Sequence, residues 1–229
     1  MKIIRFEEIA STNEYAKTLK NLGENIIVIA KKQTGGKGTK GRSFSSNEGG
    51  VYLTKLCFYK NFLAKDAFLV MARTAVAVAK TLESFSLKPK IKWANDVFVR
   101  DRKICGILIE NAFSGNKIAS SIIGVGLNVN NDLPEELKEI ATSMKKELGE
   151  TLDFDEVEKR LIDNLNEPFS MEEYVQRVGY LNEEVTLLLG DKEVVALPLR
   201  VEKDGGLVVQ IGDEEQKVYS GEVSLRLKR

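Results

Sequence analysis

The residues with the most chemical potential lie in one run, Gln33-Thr34-Gly35-Gly36-Lys37-Gly38-Thr39-Lys40-Gly41-Arg42, where four glycines and three cations follow an apolar segment. Glycine lets a backbone take positive φ and approach a ligand closely, and the cations suit an anion. The plainer alternative is a solvated basic hairpin, because charge runs are mostly exposed faces. Two further clusters, Lys92-Trp93-Ala94-Asn95-Asp96 and Lys103-Ile104-Cys105-Gly106-Ile107, argue for more than that, and the three read as parts of one site. Gly36 to Ser43 comes within one residue of the phosphate-binding P-loop, with Arg42 where its lysine belongs. A P-loop must open a helix, but here the turn-rich Phe44 to Gly50 and then a strand pattern follow. Phosphate would therefore be held by backbone N–H groups and cations instead of a helix dipole.

The chain contains no histidine. That removes the commonest general base, the Ser-His and Cys-His nucleophile pairs and every imidazole zinc site. Catalysis has to run on Lys, Arg, carboxylates, backbone donors or a metal carried by the substrate. Cys57 and Cys105 both sit in apolar, strand-like segments, and two cysteines make neither a disulfide framework nor a metal cluster.

The elements that must position these residues can be read in order. Lys2 to Glu7 reads as an edge strand, and Ser11-Thr12-Asn13-Glu14 has the form of a capping box opening a helix stopped by Gly23, with Ala16, Leu19 and Leu22 inward. Ser11 to Asn13 serve either as a cap alone or as donors to a carbonyl or anion. Asn25 to Ala30 is an apolar strand feeding the glycine loop, and Asp66 caps a long core helix to about Phe85. Lys90 to Arg100, Lys103 to Phe113 and Lys117 to Val129 read as strands joined by tight turns, which means an antiparallel or mixed sheet. Asp132-Leu133-Pro134 starts a polar helical region, and Asp153 to Asn164 and Met171 to Arg177 are helices. From Gly179 the texture changes to short strands with Gly-Asp turns, which predicts a small barrel and a division into 1–177 and 178–229.

Composition bounds the rest. With 229 residues, 34 Lys+Arg and 34 Asp+Glu, the net charge is zero, which argues against bulk nucleic-acid binding but not against a local cationic pocket. No apolar run approaches a membrane span and no signal-peptide pattern opens the chain, so a reduced cytoplasmic home is expected, without DNA or membrane partners.

Those three clusters, the third continued through Leu108-Ile109-Glu110, with Gly124-Val125-Gly126-Leu127-Asn128 and Gly221-Glu222-Val223-Ser224-Leu225-Arg226, together resemble biotin–protein ligases, from Ser11 to Arg226. The resemblance implies an α+β fold: a mixed sheet with helices like class II aminoacyl-tRNA synthetases, plus a C-terminal SH3-like β-barrel. It implies biotin, ATP and Mg²⁺, with a biotin carboxyl carrier domain as acceptor and homodimerisation left open. Since the chain starts at the catalytic part, a DNA-binding repressor role is not expected. Biotin's carboxylate would attack the α-phosphorus of ATP, and a carrier lysine would then attack the adenylate. The nucleophiles belong to the substrates, so the missing histidine is no obstacle.

By matching positions, the resemblance gives Ser11, Thr12, Asn13 and Gln33 to biotin's ureido end, with Gly36, Lys37, Lys103 and Gly106 near its carboxylate. Lys103, Lys37 and Arg42 are the expected catalytic cations; the plain alternative for Lys103 is a surface lysine at a hairpin. Lys40, Arg42, Phe44, Asn95, Asp96, Asn128 and Arg226 would serve ATP, with Phe44 near the adenine and Mg²⁺ near Asp96. Glu222 and Arg226 would reach from the barrel to the loop. Trp93 reads as a structural wedge rather than a ligand contact, and Cys105 as a strand packer. The family commonly has Arg where this chain has Lys37 and Thr39, and Trp at Phe44; Thr39 removes a cation, so weaker adenylate retention is expected unless Lys40 or Arg42 compensates. The rival readings are a lipoate or octanoate ligase and a non-catalytic biotin or adenylate sensor.

Overall fold

The computed structural model describes residues 1–189, 192–220 and, for backbone alone, 223–227. Its centre is a seven-stranded sheet in the order β1-β2-β3-β7-β6-β5-β4. The strands are β1 (Lys2–Ile9), β2 (Ile26–Gln33), β3 (Val51–Leu63), β4 (Lys90–Lys92), β5 (Asp96–Val99), β6 (Arg102–Ser114) and β7 (Lys117–Leu127). β1 and β2 run parallel and the remaining neighbours antiparallel, so the expected mixed sheet is present, with β1 at an edge.

Side chains alternate across a strand, and here both faces are covered. Ile27, Ile29 and Leu53 share the main core with α2 (Phe68–Glu83), whose Ala72, Ala75, Ala77 and Val78 are fully buried. Ile26, Val28 and Leu56 turn the other way and meet Ala16 of α1 (Thr12–Thr18). α3 (Met144–Leu148), α4 (Phe154–Asn164) and α5 (Met171–Arg177) complete the α2 side through Met144, Val157, Leu161 and Tyr174.

The C-terminal strands β8 (Val185–Leu189), β9 (Lys192–Val201), β10 (Leu207–Ile211), β11 (Glu214–Val218) and β12 (Val223–Leu227) form a five-stranded sheet ordered β11-β10-β9-β8-β12. All its neighbours pair antiparallel. Among the described residues it runs from β11 to β12 without a closing ladder. Its interior of Val185, Leu187, Leu207 and Val209 also takes in Trp93 and Ala94 from the first unit, and the Trp93 indole Nε1 donates to the Gly205 carbonyl at 3.0 Å. Trp93 is thus a wedge between the two units.

Several expectations need correction. Lys90 to Arg100 is not one strand but the hairpin β4–β5, because burial of Trp93 and Ala94 between the two units interrupts the ladder. Asp66 caps nothing: it lies in a 3₁₀ turn, Ala64–Asp66, and α2 starts after Ala67 with no side-chain cap. Leu22 is 52% exposed, since α1 ends at Thr18 and the following 3₁₀ turn breaks the 3.6-residue period that would have kept it inward. Glu14 fills only half of the capping box: its N–H meets Ser11 Oγ at 3.4 Å, but its carboxylate turns to lysines. The region after Pro134 gives only the 3₁₀ turn Glu135–Leu137 before α3. Among the described residues no helix is long and apolar enough to cross a membrane.

Candidate active site

A cleft of about 1150 Å³ is lined by Ser11, Thr12, Asn13, Gln33, Lys37, Arg42, Phe44, Asn95, Asp96, Lys103, Gly106 and Asn128. The three clusters singled out in the sequence therefore meet on one cavity. Strand register makes its floor: Asp96 pairs with Gly106, Gly106 with Gly126 and Gly126 with Tyr52, a row across four strands on one face. The two central glycines leave a groove in which Phe44 lies. A Cβ added at Gly126 would stand 2.6 Å from its ring, and one at Gly106 would stand 3.0 Å away.

Lys103 reaches this face through a β-bulge. β5 pairs Val97 with Cys105 but Phe98 with Lys103, so Ile104 is the extra residue on β6. Strict alternation would turn Lys103 away from Gly106; the bulge re-aims it. Its Nζ stands 2.8 Å from the Asp96 carboxylate and 5.7 Å from the centre of the Phe44 ring. Asn95 supports the pair, donating to Asp96 Oδ1 at 3.1 Å and to the Ile107 carbonyl at 3.2 Å. Cys105, on the opposite face, is fully buried; burial pushes its thiol far up, against the small opposing effect of Lys103, which suits a strand packer.

The glycine run forms a hairpin, with Gly38 N–H on the Arg42 carbonyl at 2.7 Å and Phe44 N–H on the Gly36 carbonyl at 2.9 Å. Its tip turns through Lys40 (φ 56°) and Gly41 (φ 74°), the left-handed region where glycine is unstrained. Lys37 Nζ is 2.8 Å from Glu14 Oε1. Arg42 folds back on Thr39, its guanidinium donating to the Thr39 carbonyl at 3.3 Å and hydroxyl at 3.2 Å. Lys40 and Gly36 are not among the residues lining the cleft. Lys40 lines an adjoining cavity of about 490 Å³ with Trp93, Asp204 and Tyr219. Gly36 is a packing glycine, since a Cβ there would stand 2.5 Å from both Phe44 O and Ser46 Oγ.

At the other end the polar groups are already oriented. Gln33 Oε1 accepts from Thr12 N–H at 2.8 Å and Thr12 Oγ1 at 3.0 Å, while its Nε2 donates to Ser46 Oγ at 2.9 Å. Thr54 Oγ1 lies 2.8 Å from Thr12 Oγ1 and 2.6 Å from Asn13 Oδ1, and its single proton can serve only one of them. Ser11 accepts at the helix N-terminus. Asn128 lines the cleft, but its amide donates to the Thr142 carbonyl and accepts from Asn131, both at 3.0 Å, tying down the chain after β7. The side chain of Arg226 and the whole of Glu222 lie outside the described residues.

Sequence reasoning missed the pairing partners Glu14, Lys17 and Glu110, and the far wall built by Phe98, Arg100, Leu137 and Ile140. The sequence pattern marks Glu14 only as a cap; the far wall is made mostly of apolar residues, and its Arg100 lies outside the glycine and cation clusters that local pattern can detect.

The comparisons with known proteins agree with this geometry. Residues 6–128 match the model of the biotin/lipoate A/B protein ligase family, and residues 180–226 match the biotin protein ligase C-terminal domain. The bifunctional ligase/repressor BirA of Bacillus subtilis is 31% identical over 97% of this chain and 74% of its own length. The biotin–[acetyl-CoA-carboxylase] ligase of Mycobacterium tuberculosis is 26% identical over 87% of this chain and 79% of its own. The structure of biotin protein ligase from Aquifex aeolicus in complex with biotin and ATP superposes with a TM-score of 0.79 at 30% identity, covering 99% of each chain. With one family model covering more than half of the sequence and likeness running along nearly all of it, this chain belongs to the biotin/lipoate A/B protein ligase family.

Proposed function

We propose that this protein is an ATP-dependent biotin–protein ligase that makes biotinyl-5′-adenylate and passes the biotinyl group to a lysine of a carboxyl carrier domain. The observation that favours biotin over a plain acyl chain is the cluster of oriented donors and acceptors at Thr12, Asn13, Gln33 and Thr54. A ureido ring needs paired polar partners and finds them gathered and oriented here, whereas a lipoyl or octanoyl tail would gain no hydrogen bond from side chains that otherwise bond one another.

In the first step a biotin carboxylate oxygen bonds to the α-phosphorus as the bond to pyrophosphate breaks. Negative charge grows on phosphate oxygens, and cations held in advance lower that barrier most. Lys103 is oriented by Asp96 and Lys37 by Glu14, and a lysine has three donors, so each keeps donors for the reacting groups. Arg42 adds a guanidinium steadied by Thr39. In the second step the neutral amine of the carrier lysine attacks the acyl carbon; the bond to AMP breaks and one proton passes to solvent. Mg²⁺ would enter with the nucleotide, and of the three carboxylates lining the cleft, Asp96, Asp101 and Glu139, Asp96 stands beside the Lys103 ammonium and would hold the ion, with waters and phosphates as its other ligands.

Exchange of labelled pyrophosphate into ATP tests the proposal. Exchange dependent on biotin, but not on lipoate or octanoate, is the expected outcome. Dependence on lipoate would transfer the site to the sister activity of the family, and biotin binding without exchange would mean a sensor.

A further inference from the structure

Charged side chains outside the cleft's floor form an alternating chain across three elements. Glu110 Oε1 on β6 meets Lys17 Nζ on α1 at 2.8 Å; Lys17 meets Glu14 Oε1 at 2.9 Å; Glu14 Oε1 meets Lys37 Nζ of the hairpin at 2.8 Å. The other oxygen of Glu110 accepts from the Asn13 amide at 3.4 Å. One carboxylate oxygen thus collects two ammonium groups, and the series connects the polar end of the cleft with the cation on its hairpin wall. The four charges sum to zero, so the chain adds no net charge around the cleft, and Lys37 is its one member on the cleft lining; what the other three fix is geometry.

We infer that Glu14, Lys17 and Glu110 are positioning residues that hold the Lys37 ammonium at the cleft wall in register with Asn13. Lysine at this position makes the device necessary. Its head is a compact charge on a flexible stem, lacking the planar fork with which an arginine fixes its own orientation. Among the described residues Lys37 is otherwise held through its backbone, by the bridge to Ser43 and the hairpin bonds on either side. Glu14 occupies one of the three ammonium donors and leaves two for the ligand. The pairs are partly exposed, with side-chain exposures of 42% for Glu14 and 57% for Lys37, so salt weakens them.

The inference rests on the ligase reading, and the test separates the two. Biotinyl-adenylate formation and dissociation are followed for the wild type, Glu14→Gln, Lys37→Met and the double variant, at low and high salt. If the wild type makes no adenylate, the ligase reading fails. If it does, Glu14→Gln should release adenylate roughly two- to five-fold faster at low salt, the size of one exposed ion pair. That difference should shrink at high salt and be absent when Lys37 is already Met. Lys17→Met, which leaves Glu14 and Lys37 intact, should show a smaller effect of the same sign. A purely structural role for Glu14 would give the same loss in the Lys37→Met background, and that additivity, or a Glu14→Gln variant indistinguishable from wild type, would overturn the inference.

Discussion

Replacing Lys103 by Met tests the central claim about the cleft, because two consequences of the change have very different sizes. Structurally the ammonium makes one ion pair, with Asp96, in which the two side chains are 31% and 21% exposed. A pair that open to water contributes about 0–1 kcal/mol, and Met keeps an apolar stem above Gly106. For a chain of this size 1 kcal/mol moves Tm by roughly 2–4 °C. Catalytically, loss of one preorganised donor to a developing anion costs about 10²–10³ in rate, or roughly 3–4 kcal/mol. Lys103→Met should therefore melt within a few degrees of wild type while single-turnover adenylate formation falls by two to three orders of magnitude, about. Biotin binding should fall far less, since the ureido end is untouched. Adenylate formation within about tenfold of wild type would refute the reasoning, because Lys103 would then be a surface lysine of the β5–β6 hairpin.

Thr39→Arg should slow dissociation of biotinyl-adenylate by roughly ten-fold or more, the worth of one charge-assisted hydrogen bond; equal off-rates would mean that Arg42, steadied by Thr39, already does the work. Trp93→Phe strands the Gly205 carbonyl that the indole now satisfies, so urea unfolding should show a loss of about 1–3 kcal/mol with little change in kcat; unchanged stability would count against Trp93 as the wedge. Hydrogen bonds from Lys17 first and Lys37 second hold the Glu14 carboxyl down from its ordinary 4.5 to about 2. A group depressed in the folded state stabilises above its unfolded pKa and loses that contribution as pH falls through its folded one. The stability gap between wild type and Glu14→Gln should thus be level at neutral pH and close between about pH 4.5 and 2; a gap that widened there would contradict the pairing.

The sequence by itself determined the inventory: a chain without histidine, rich in loop cations and amides, with two textures of strand spacing. It also located β2, α4, α5 and the hairpins around β6, because local period and capping residues set those elements. What it could not decide was which partner each side chain meets. Lys103 faces the cleft only because one bulged residue reverses its alternation, and Gly106 and Gly126 make a groove only because register sets them side by side. Gly36 belongs to hairpin packing rather than the cleft lining, and Glu14 serves Lys37 rather than its own helix cap, through approaches made after distant segments have docked. Local propensity acts over a few residues, whereas strand register and docking bring together groups far apart in the chain; the choice of partner therefore belongs to the tertiary structure.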